Sequence, residues 1–174
     1  ARPPPPHTPT LTLTHTHAHS APSQAAYVDQ LLGDADAAAK AYAALFSYKT
    51  ELEPALAAVA ANNIVVSRGG TSELFDSWKK CRANLADAIT KKVTSRHRRA
   101  FLFNAALLSM HMSKSDQCKE ILATLRKEFP DSDAPALIQA ANLARAKQPA
   151  QAEAVLAAAA ADPKRSDPSV GLTL

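Results

Sequence analysis

Glycine and cysteine are both scarce in this chain of 174 residues, which contains four glycines and two cysteines. Gly69-Gly70 is not followed by the Lys-Ser or Lys-Thr pair that a phosphate-binding loop requires, so a nucleotide-binding loop is excluded. Cys81 and Cys118 have no cysteine or histidine at metal-ligand spacing. This pattern favours two buried free thiols in a reducing compartment over a disulfide-stabilised scaffold.

Aromatic residues and long apolar runs are also few. Aromatic side chains make up 5% of the chain, which predicts a thin, elongated core. No charge-free apolar run reaches membrane-spanning length, so we expect no membrane insertion. Strand-like alternation is confined to residues 11–14, which are too few to build a sheet. What remains is a chain that must fold through helices.

The first 22 residues differ in composition from the rest. They combine Pro3 to Pro6 with a Thr-rich run and the alternating histidines His15, His17 and His19. Three histidines on one side of an extended chain resemble a transition-metal ligand set, but no acidic or cysteine ligand accompanies them. We therefore interpret residues 1–22 as a disordered tail, residues 23–174 as the folded domain, and expect no metal or cofactor.

A repeated helical pattern occupies the second half of the chain. Asn104-Ala105-Ala106-Leu107-Leu108 and Gln139-Ala140-Ala141-Asn142-Leu143 lie 35 positions apart, and Pro130 and Pro163 lie 33 apart. These offsets bracket the period of about 34 residues that is typical of tetratricopeptide units. The sequence therefore predicts an all-α fold of seven or eight helices, in which tetratricopeptide-like hairpins stack as a short right-handed solenoid.

Local signals place several helix boundaries. Gly33-Asp34 predicts a turn, and Pro54 predicts the start of a helix. Ser72 is the expected N-cap of a further helix that continues through Ile89. The small residues Ala106 and Cys118 are predicted where the two helices of one hairpin approach most closely.

Amide side chains recur once in each predicted first helix, as Asn63, Asn104 and Gln139. Amides donate and accept hydrogen bonds, so a row of them can hold the backbone of a peptide. The alternative interpretation is that each amide caps or bridges a neighbouring helix. Their repetition favours a peptide-binding groove. The predicted groove residues are Asn63, Phe103, Asn104, Gln139 and Asn142.

The most basic stretch runs from Lys79 to Arg99, with eight Lys or Arg residues and one acid, Asp87. It is a candidate for contact with phosphates or with an acidic partner, and the alternative interpretation is a solvated surface. Stacking aromatic residues are missing, so we expect no base-specific recognition. The candidate contact residues are Lys91, Lys92, Arg96, Arg98 and Arg99.

Catalytic residue types occur without a catalytic arrangement. Ser109, His111 and Asp116 lie near the end of one helix and lack the turn that exposes an activated nucleophile. We therefore assign no catalytic residue and expect a binding protein rather than an enzyme.

A series of short motifs, in order and at similar separations over residues 34–174, resembles one family. The motifs are Asn62-Asn63-Ile64-Val65, Phe75-Asp76-Ser77, Phe103-Asn104, Gln117-Cys118-Lys119 and Leu137-Ile138-Gln139-Ala140-Ala141. With these motifs the chain is similar to the 72-kilodalton subunit of the eukaryotic signal recognition particle, of which it looks like a fragment.

The resemblance implies a cytoplasmic scaffold in a ribonucleoprotein particle. In that family the repeats bind a segment of the 68-kilodalton partner subunit, and the particle targets ribosomes to the endoplasmic reticulum. The family's RNA-contacting segment lies beyond the repeats, so contact with the particle RNA is expected to be indirect. Two alternatives stay open: direct RNA-backbone binding through residues 79–99, and a co-chaperone array. The latter would need a cluster of groove lysines and arginines.

Overall fold

The structure is a computed structural model that describes residues 20–47, 52–69 and 73–162. Over these ranges the chain forms nine helices and no strand, which confirms the all-α prediction. The helices are α1 (Ser20–Leu31), α2 (Ala35–Leu45), α3 (Pro54–Ser67), α4 (Leu74–Asn84), α5 (Asp87–Thr90), α6 (Ser95–His111), α7 (Ser115–Glu128), α8 (Ala134–Arg145) and α9 (Pro149–Ala160).

Helix starts follow the local signals in the sequence. Gly33 has a φ of +87°, which allows the tight turn between α1 and α2, and the Asp34 carboxylate then accepts a hydrogen bond from the Ala37 N–H at 2.9 Å. Pro54 lies in the first turn of α3, where its missing N–H costs no intrahelical bond. The predicted turn and the predicted helix start are both confirmed.

The helix predicted through Ile89 is instead two helices. α4 ends at Asn84, and Ala86 has extended dihedral angles before the single turn of α5. Asn84 is buried, and its Nδ2 donates to the Ala58 carbonyl of α3 at 2.9 Å. This bond fixes the end of α4 against α3, and the chain then turns away. The predicted N-cap, Ser72, lies outside the described residues.

The helices pack as four pairs of successive helices, α1/α2, α3/α4, α6/α7 and α8/α9. The first helix of each pair also contacts the first helix of the next, so that α1, α3, α6 and α8 lie side by side. We call the surface that these four helices share the first-helix face. The arrangement is an all-α helical repeat solenoid, as predicted.

Two clusters of buried side chains form the core. One joins α1, α2 and α3 around Tyr42, and the other surrounds α6. Within the α6/α7 pair, the Cys118 Sγ lies 3.6 Å from the Ala106 carbonyl, to which it donates a weak hydrogen bond. The predicted close approach at Ala106 and Cys118 is therefore confirmed.

The predicted tail lies largely outside the described residues. Helix α1 begins at Ser20, so residues 20–22, which were predicted to belong to the tail, are helical.

Four large apolar side chains on α1 and just after it are exposed, with Leu32 at 79% of its accessible surface. They are Tyr27, Val28, Leu31 and Leu32.

Candidate functional site

Three asparagines and a tyrosine connect α2, α3 and α6 through side-chain hydrogen bonds. Asn104 of α6 donates through Nδ2 to the Asn62 Oδ1 of α3 at 2.9 Å. Asn62 donates in turn to the Asn63 Oδ1 at 3.4 Å, and Asn63 donates to the Tyr42 hydroxyl of α2 at 2.9 Å. We call these four side chains the amide ladder. It bridges three successive helical pairs.

Burial of Tyr42 and Asn62 strengthens the amide ladder, because water has little access to these two members. Tyr42 is fully buried and Asn62 is 7% exposed, while Asn63 and Asn104 are half-buried. Burial raises the pKa of the Tyr42 phenol, and the hydrogen bond from Asn63 opposes part of that rise. The hydroxyl therefore stays protonated at neutral pH and can accept the bond from Asn63.

Asn62 and Tyr42 are the two members that the site prediction omitted, and Asn62 is the one that joins α3 to α6. It adjoins Asn63 in sequence, but its side chain reaches α6 whereas that of Asn63 reaches α2. The pair of adjacent asparagines in a mainly apolar helix was the available signal, because two amides that are at least half-buried in one turn need two separate partners.

The predicted groove residues of α8 do not join the ladder. The Gln139 Oε1 accepts a hydrogen bond from the Arg126 Nη2 of α7 at 2.6 Å, which joins α7 to α8. Asn142 is exposed and lines a cavity of about 240 Å³ with Met110 and Arg145. The predicted amides thus form two groups. Asn63 and Asn104 belong to the amide ladder, whereas Gln139 and Asn142 of α8 lie beside α7. Phe103 is half-buried against the α6 core.

A small apolar cavity of about 200 Å³ lies beside Asn104, between α3 and α6. Its walls are mainly aliphatic, and Val66 at its edge is 42% exposed. The Asn104 amide and the exposed His111 side chain supply its polar groups. The lining residues are Val65, Val66, Gly69, Asn104, Leu107, Leu108 and His111.

A larger cavity of about 710 Å³ opens between α2 and α4, over α3. Its lining contains five alanines and the larger apolar residues Phe46, Ile64 and Ile89, and its charged residues are Arg68, Asp76, Lys79 and Lys80. Among the described residues, its lining includes none of the predicted groove residues.

The five predicted basic contact residues differ in their availability. Lys91, Lys92 and Arg96 are exposed, and Arg99 is half-buried. Arg98 instead holds Glu128 at the end of α7, with Nε 2.5 Å from Oε2 and Nη2 2.6 Å from Oε1. The two hydrogen bonds lower the pKa of Glu128 and raise that of Arg98. Arg98 therefore has a structural partner within the chain.

The candidate catalytic residue types are not assembled into a site. The Ser109 hydroxyl donates to the Ala105 carbonyl of its own helix at 2.7 Å, and Asp116 is fully exposed beside Lys119. In the part of the chain that the structure describes, no group of three or more His, Cys, Asp or Glu residues could hold a metal ion. His15, His17 and His19 lie outside that part.

Both cysteines are free and buried. Burial raises the pKa of the Cys81 thiol to about 11 and also raises that of Cys118. Thiols in this state pack as small apolar groups and react slowly. Among the described helices, none is both long and apolar enough to cross a membrane.

The fold and the inter-helical amides define a class, that of helical-repeat proteins built from stacked hairpins. Comparison with curated proteins then gives the family. The chain is 37% identical over 125 residues to Signal recognition particle subunit SRP72 from Homo sapiens, and equally to that from Canis lupus familiaris; this covers 72% of the chain and 18% of each relative. It is 33% identical over 105 residues to the Schistosoma mansoni subunit, covering 60% of the chain and 15% of the relative. No protein-family model matches the chain.

These similarities confirm the resemblance predicted from the sequence, and the chain is a relative of the SRP72 subunit. It spans about 18% of the length of the human and dog relatives, so its similarity concerns one region of a longer protein.

Proposed function

We propose that this chain is a non-catalytic scaffold region of a signal recognition particle subunit, which binds a segment of the 68-kilodalton partner subunit on its first-helix face. In this proposal it is a cytoplasmic component of the ribonucleoprotein particle and supports co-translational protein targeting to the endoplasmic reticulum. The observation that carries the proposal is the similarity to SRP72 relatives over 72% of the chain, together with stacked helical pairs.

The cavity beside Asn104 is suited to one aliphatic side chain of a bound segment. Its volume of about 200 Å³ exceeds that of a single leucine side chain, and its walls are Val65, Leu107 and Leu108. Full burial of such a side chain contributes about 1.5–3 kcal/mol. This pocket would then supply the apolar anchor of the interaction, as peptide-binding grooves on helical scaffolds commonly do.

Asn104 at the rim of the same cavity supports binding of the peptide backbone. One N–H of its amide group is used in the bond to Asn62, and an amide offers two donor hydrogens and an acceptor oxygen. A bound segment would then be fixed at two neighbouring points, by a side chain in the cavity and by a backbone hydrogen bond to Asn104. These two contacts together would set its position and its direction along the groove. Gln139 would extend this row towards α8, where it also contacts Arg126.

The first test is a titration of the chain with the C-terminal segment of the 68-kilodalton subunit. It compares wild type with two single variants, Asn104→Ala and Gln139→Ala. Each truncation removes an amide from the proposed groove, so we expect affinity to fall about three- to tenfold per site while the helical content is retained. Gln117→Ala is the matched control, because this exposed amide lies on the second helix α7. Unchanged affinity in both groove variants would remove these residues from the interface.

A second candidate function is direct contact with an RNA backbone. Lys91 and Lys92 are exposed between α5 and α6, Arg96 is exposed in the first turn of α6, and that turn contains no acid. The positive end of the helix dipole therefore adds to the charge of Arg96, and the two lysines precede it in the chain. This arrangement favours charge-driven contact without base recognition.

The RNA candidate is tested by binding of particle RNA over a range of salt concentrations. If these cations contact phosphates, changing Lys91, Lys92 and Arg96 together to Ala lowers both the affinity and the slope of its salt dependence. Arg145→Ala, an exposed arginine at the end of α8, is the control. Negligible RNA affinity at low salt would exclude this function.

A further inference from the structure

The buried Asn62 is the ladder member that joins Asn104 of α6 to Asn63 of α3. It accepts from Asn104 at 2.9 Å and donates to Asn63 at 3.4 Å. Its own side chain is 7% exposed, so a bound peptide would meet Asn104 and Asn63 rather than Asn62 itself. Asn62 thus lies behind the proposed groove.

Without a partner, the Asn104 side chain would sample several rotamers at the rim of its cavity. The bond from its Nδ2 to Asn62 selects one of them, and the partner sits on a different helical pair. Because Asn62 is held through Asn63 to the buried Tyr42 hydroxyl, this selection is supported by three helices. Such support behind a binding residue reduces the entropy that binding must overcome.

We infer that Asn62 is a positioning residue for peptide binding, which acts by holding Asn104 in the orientation that faces the groove. The inference rests on the proposed function, since it assigns Asn62 a role in the same interface. It goes beyond that function because it places part of the binding specificity in a residue that no ligand touches.

Loss of the Asn62 amide has two separable consequences. It leaves the Asn104 Nδ2 and the Asn63 Oδ1 without these bonds, which lowers stability wherever water cannot replace them. It also frees the Asn104 side chain, which weakens binding only if Asn104 contributes to binding. A double-mutant cycle separates the two effects, because only the second one depends on Asn104.

The test is a titration of the 174-residue chain with the C-terminal segment of the 68-kilodalton subunit, using wild type, Asn62→Ala, Asn104→Ala and the double variant. We expect Asn62→Ala to weaken binding about three- to tenfold in the wild-type background and to have no further effect in the Asn104→Ala background. An equal loss in both backgrounds, or no loss in either, would overturn the inference.

Asn84→Ala is the matched control for general softening of the fold. Asn84 is likewise a buried asparagine, 5% exposed, and its Nδ2 donates to the Ala58 carbonyl without joining the ladder. We expect this variant to lose stability while keeping wild-type affinity. If it weakened binding as much as Asn62→Ala, the effect at Asn62 would be one of stability alone.

Asn62→Asp provides the conservative variant, and it serves if Asn62→Ala does not fold. An aspartate keeps the shape and the acceptor oxygen that receives the Asn104 Nδ2 bond, and its protonated carboxyl can donate to the Asn63 Oδ1 as the amide does. We therefore expect near wild-type affinity at acidic pH, where this buried carboxyl is protonated. A loss as large as that of Asn104→Ala would contradict the positioning role.

A binding-independent measurement distinguishes failure of this inference from failure of the proposed function. The side-chain NH₂ signals of Asn104 are identified by their absence in Asn104→Ala and followed by NMR in the unliganded chain. We expect their protection from solvent exchange in wild type and its loss in Asn62→Ala. If wild type does not bind the segment, the proposed function fails; unchanged Asn104 signals in Asn62→Ala would overturn the positioning role whether or not the segment binds.

Discussion

At the scale of single residues, the amide ladder joins α2, α3 and α6 through side chains rather than through backbone. The Tyr42 hydroxyl terminates the ladder in the core around α2, where it accepts the Asn63 Nδ2 bond at 2.9 Å. A buried polar group of this kind stabilises a fold only while its partner is present, since an unsatisfied donor retains its desolvation cost. Each ladder member therefore depends on its neighbour.

Removal of the Tyr42 hydroxyl tests this dependence without a change of side-chain shape. We expect Tyr42→Phe to lower the free energy of unfolding by about 0.5–1.5 kcal/mol, because Asn63 loses its acceptor. Urea unfolding followed by circular dichroism measures the difference. Tyr27→Phe is the control, since Tyr27 is 47% exposed and its ring lies at the surface of α1. Equal midpoints for wild type and Tyr42→Phe would mean that the bond contributes nothing to stability.

The ion pair between Arg98 and Glu128 makes stability depend on pH. Because Arg98 lowers the pKa of Glu128 in the folded chain, the pair stabilises the fold above the ordinary pKa of a glutamate and is lost as pH falls through the lowered value. We expect unfolding midpoints to fall below about pH 4, and to fall less in Glu128→Gln. Arg68 and then Lys80 lower the pKa of Asp76 as well, which accounts for part of the remaining decline.

Urea titrations at several pH values between about 3 and 7 measure this dependence. Glu153→Gln, which changes an exposed carboxylate of α9, is the control and should retain the wild-type profile. Superimposable profiles for wild type and Glu128→Gln would show that the Arg98 pair does not stabilise the folded state.

At the scale of helices, close packing within a pair depends on small side chains. Ala106 is fully buried in α6, and its carbonyl lies 3.6 Å from the Cys118 Sγ of α7. A larger side chain here forces the two helices apart or into unfavourable rotamers.

We expect Ala106→Leu to reduce the free energy of unfolding by about 1–3 kcal/mol through overpacking. Ala123→Leu is the control, because Ala123 is exposed on α7 and leucine there meets solvent. Thermal and urea unfolding of both variants provide the measurement. A wild-type midpoint for Ala106→Leu would show that the pair can separate without loss of packing energy.

Helix positions were predictable where the signal is local. Pro54, Gly33 and Asp34 act within one turn of the helix that they begin, so the sequence alone contains the physical cause. The division of α4 and α5 was not predicted, because it depends on the bond from Asn84 to Ala58, 26 positions away. The ladder was missed for the same reason, since Asn62 and Asn104 lie 42 positions apart and meet only when α3 packs against α6.

The helices that carry the predicted amides were therefore predictable, but the bonds that these amides make were not. Periodicity placed Asn63, Asn104 and Gln139 on first helices, and all three lie there in α3, α6 and α8. The alternative interpretation, that each amide bridges a neighbouring helix, describes the bonds of all three. Periodicity could not indicate which side chains they meet, because that depends on the rotation of each helix about its axis. Their role in a peptide-binding groove stays a prediction.

At the scale of the whole molecule, the four helical pairs present a face of first helices, and the chain also exposes cations before and in the first turn of α6. The first-helix face combines an apolar cavity with amides, whereas Lys91, Lys92 and Arg96 offer charge alone. The two surfaces differ in their response to salt, because counterion release affects only the charged one strongly. Salt dependence can therefore identify the surface that binds.

The most direct test of the scaffold account is calorimetric titration of the 174-residue chain with the C-terminal segment of the 68-kilodalton subunit at two salt concentrations, with particle RNA as a parallel ligand. The account predicts saturable binding of the peptide segment with an affinity that changes little with salt, and weak or no binding of RNA. Absence of peptide binding together with steeply salt-dependent RNA binding would contradict the account and assign the function to the basic residues at the start of α6.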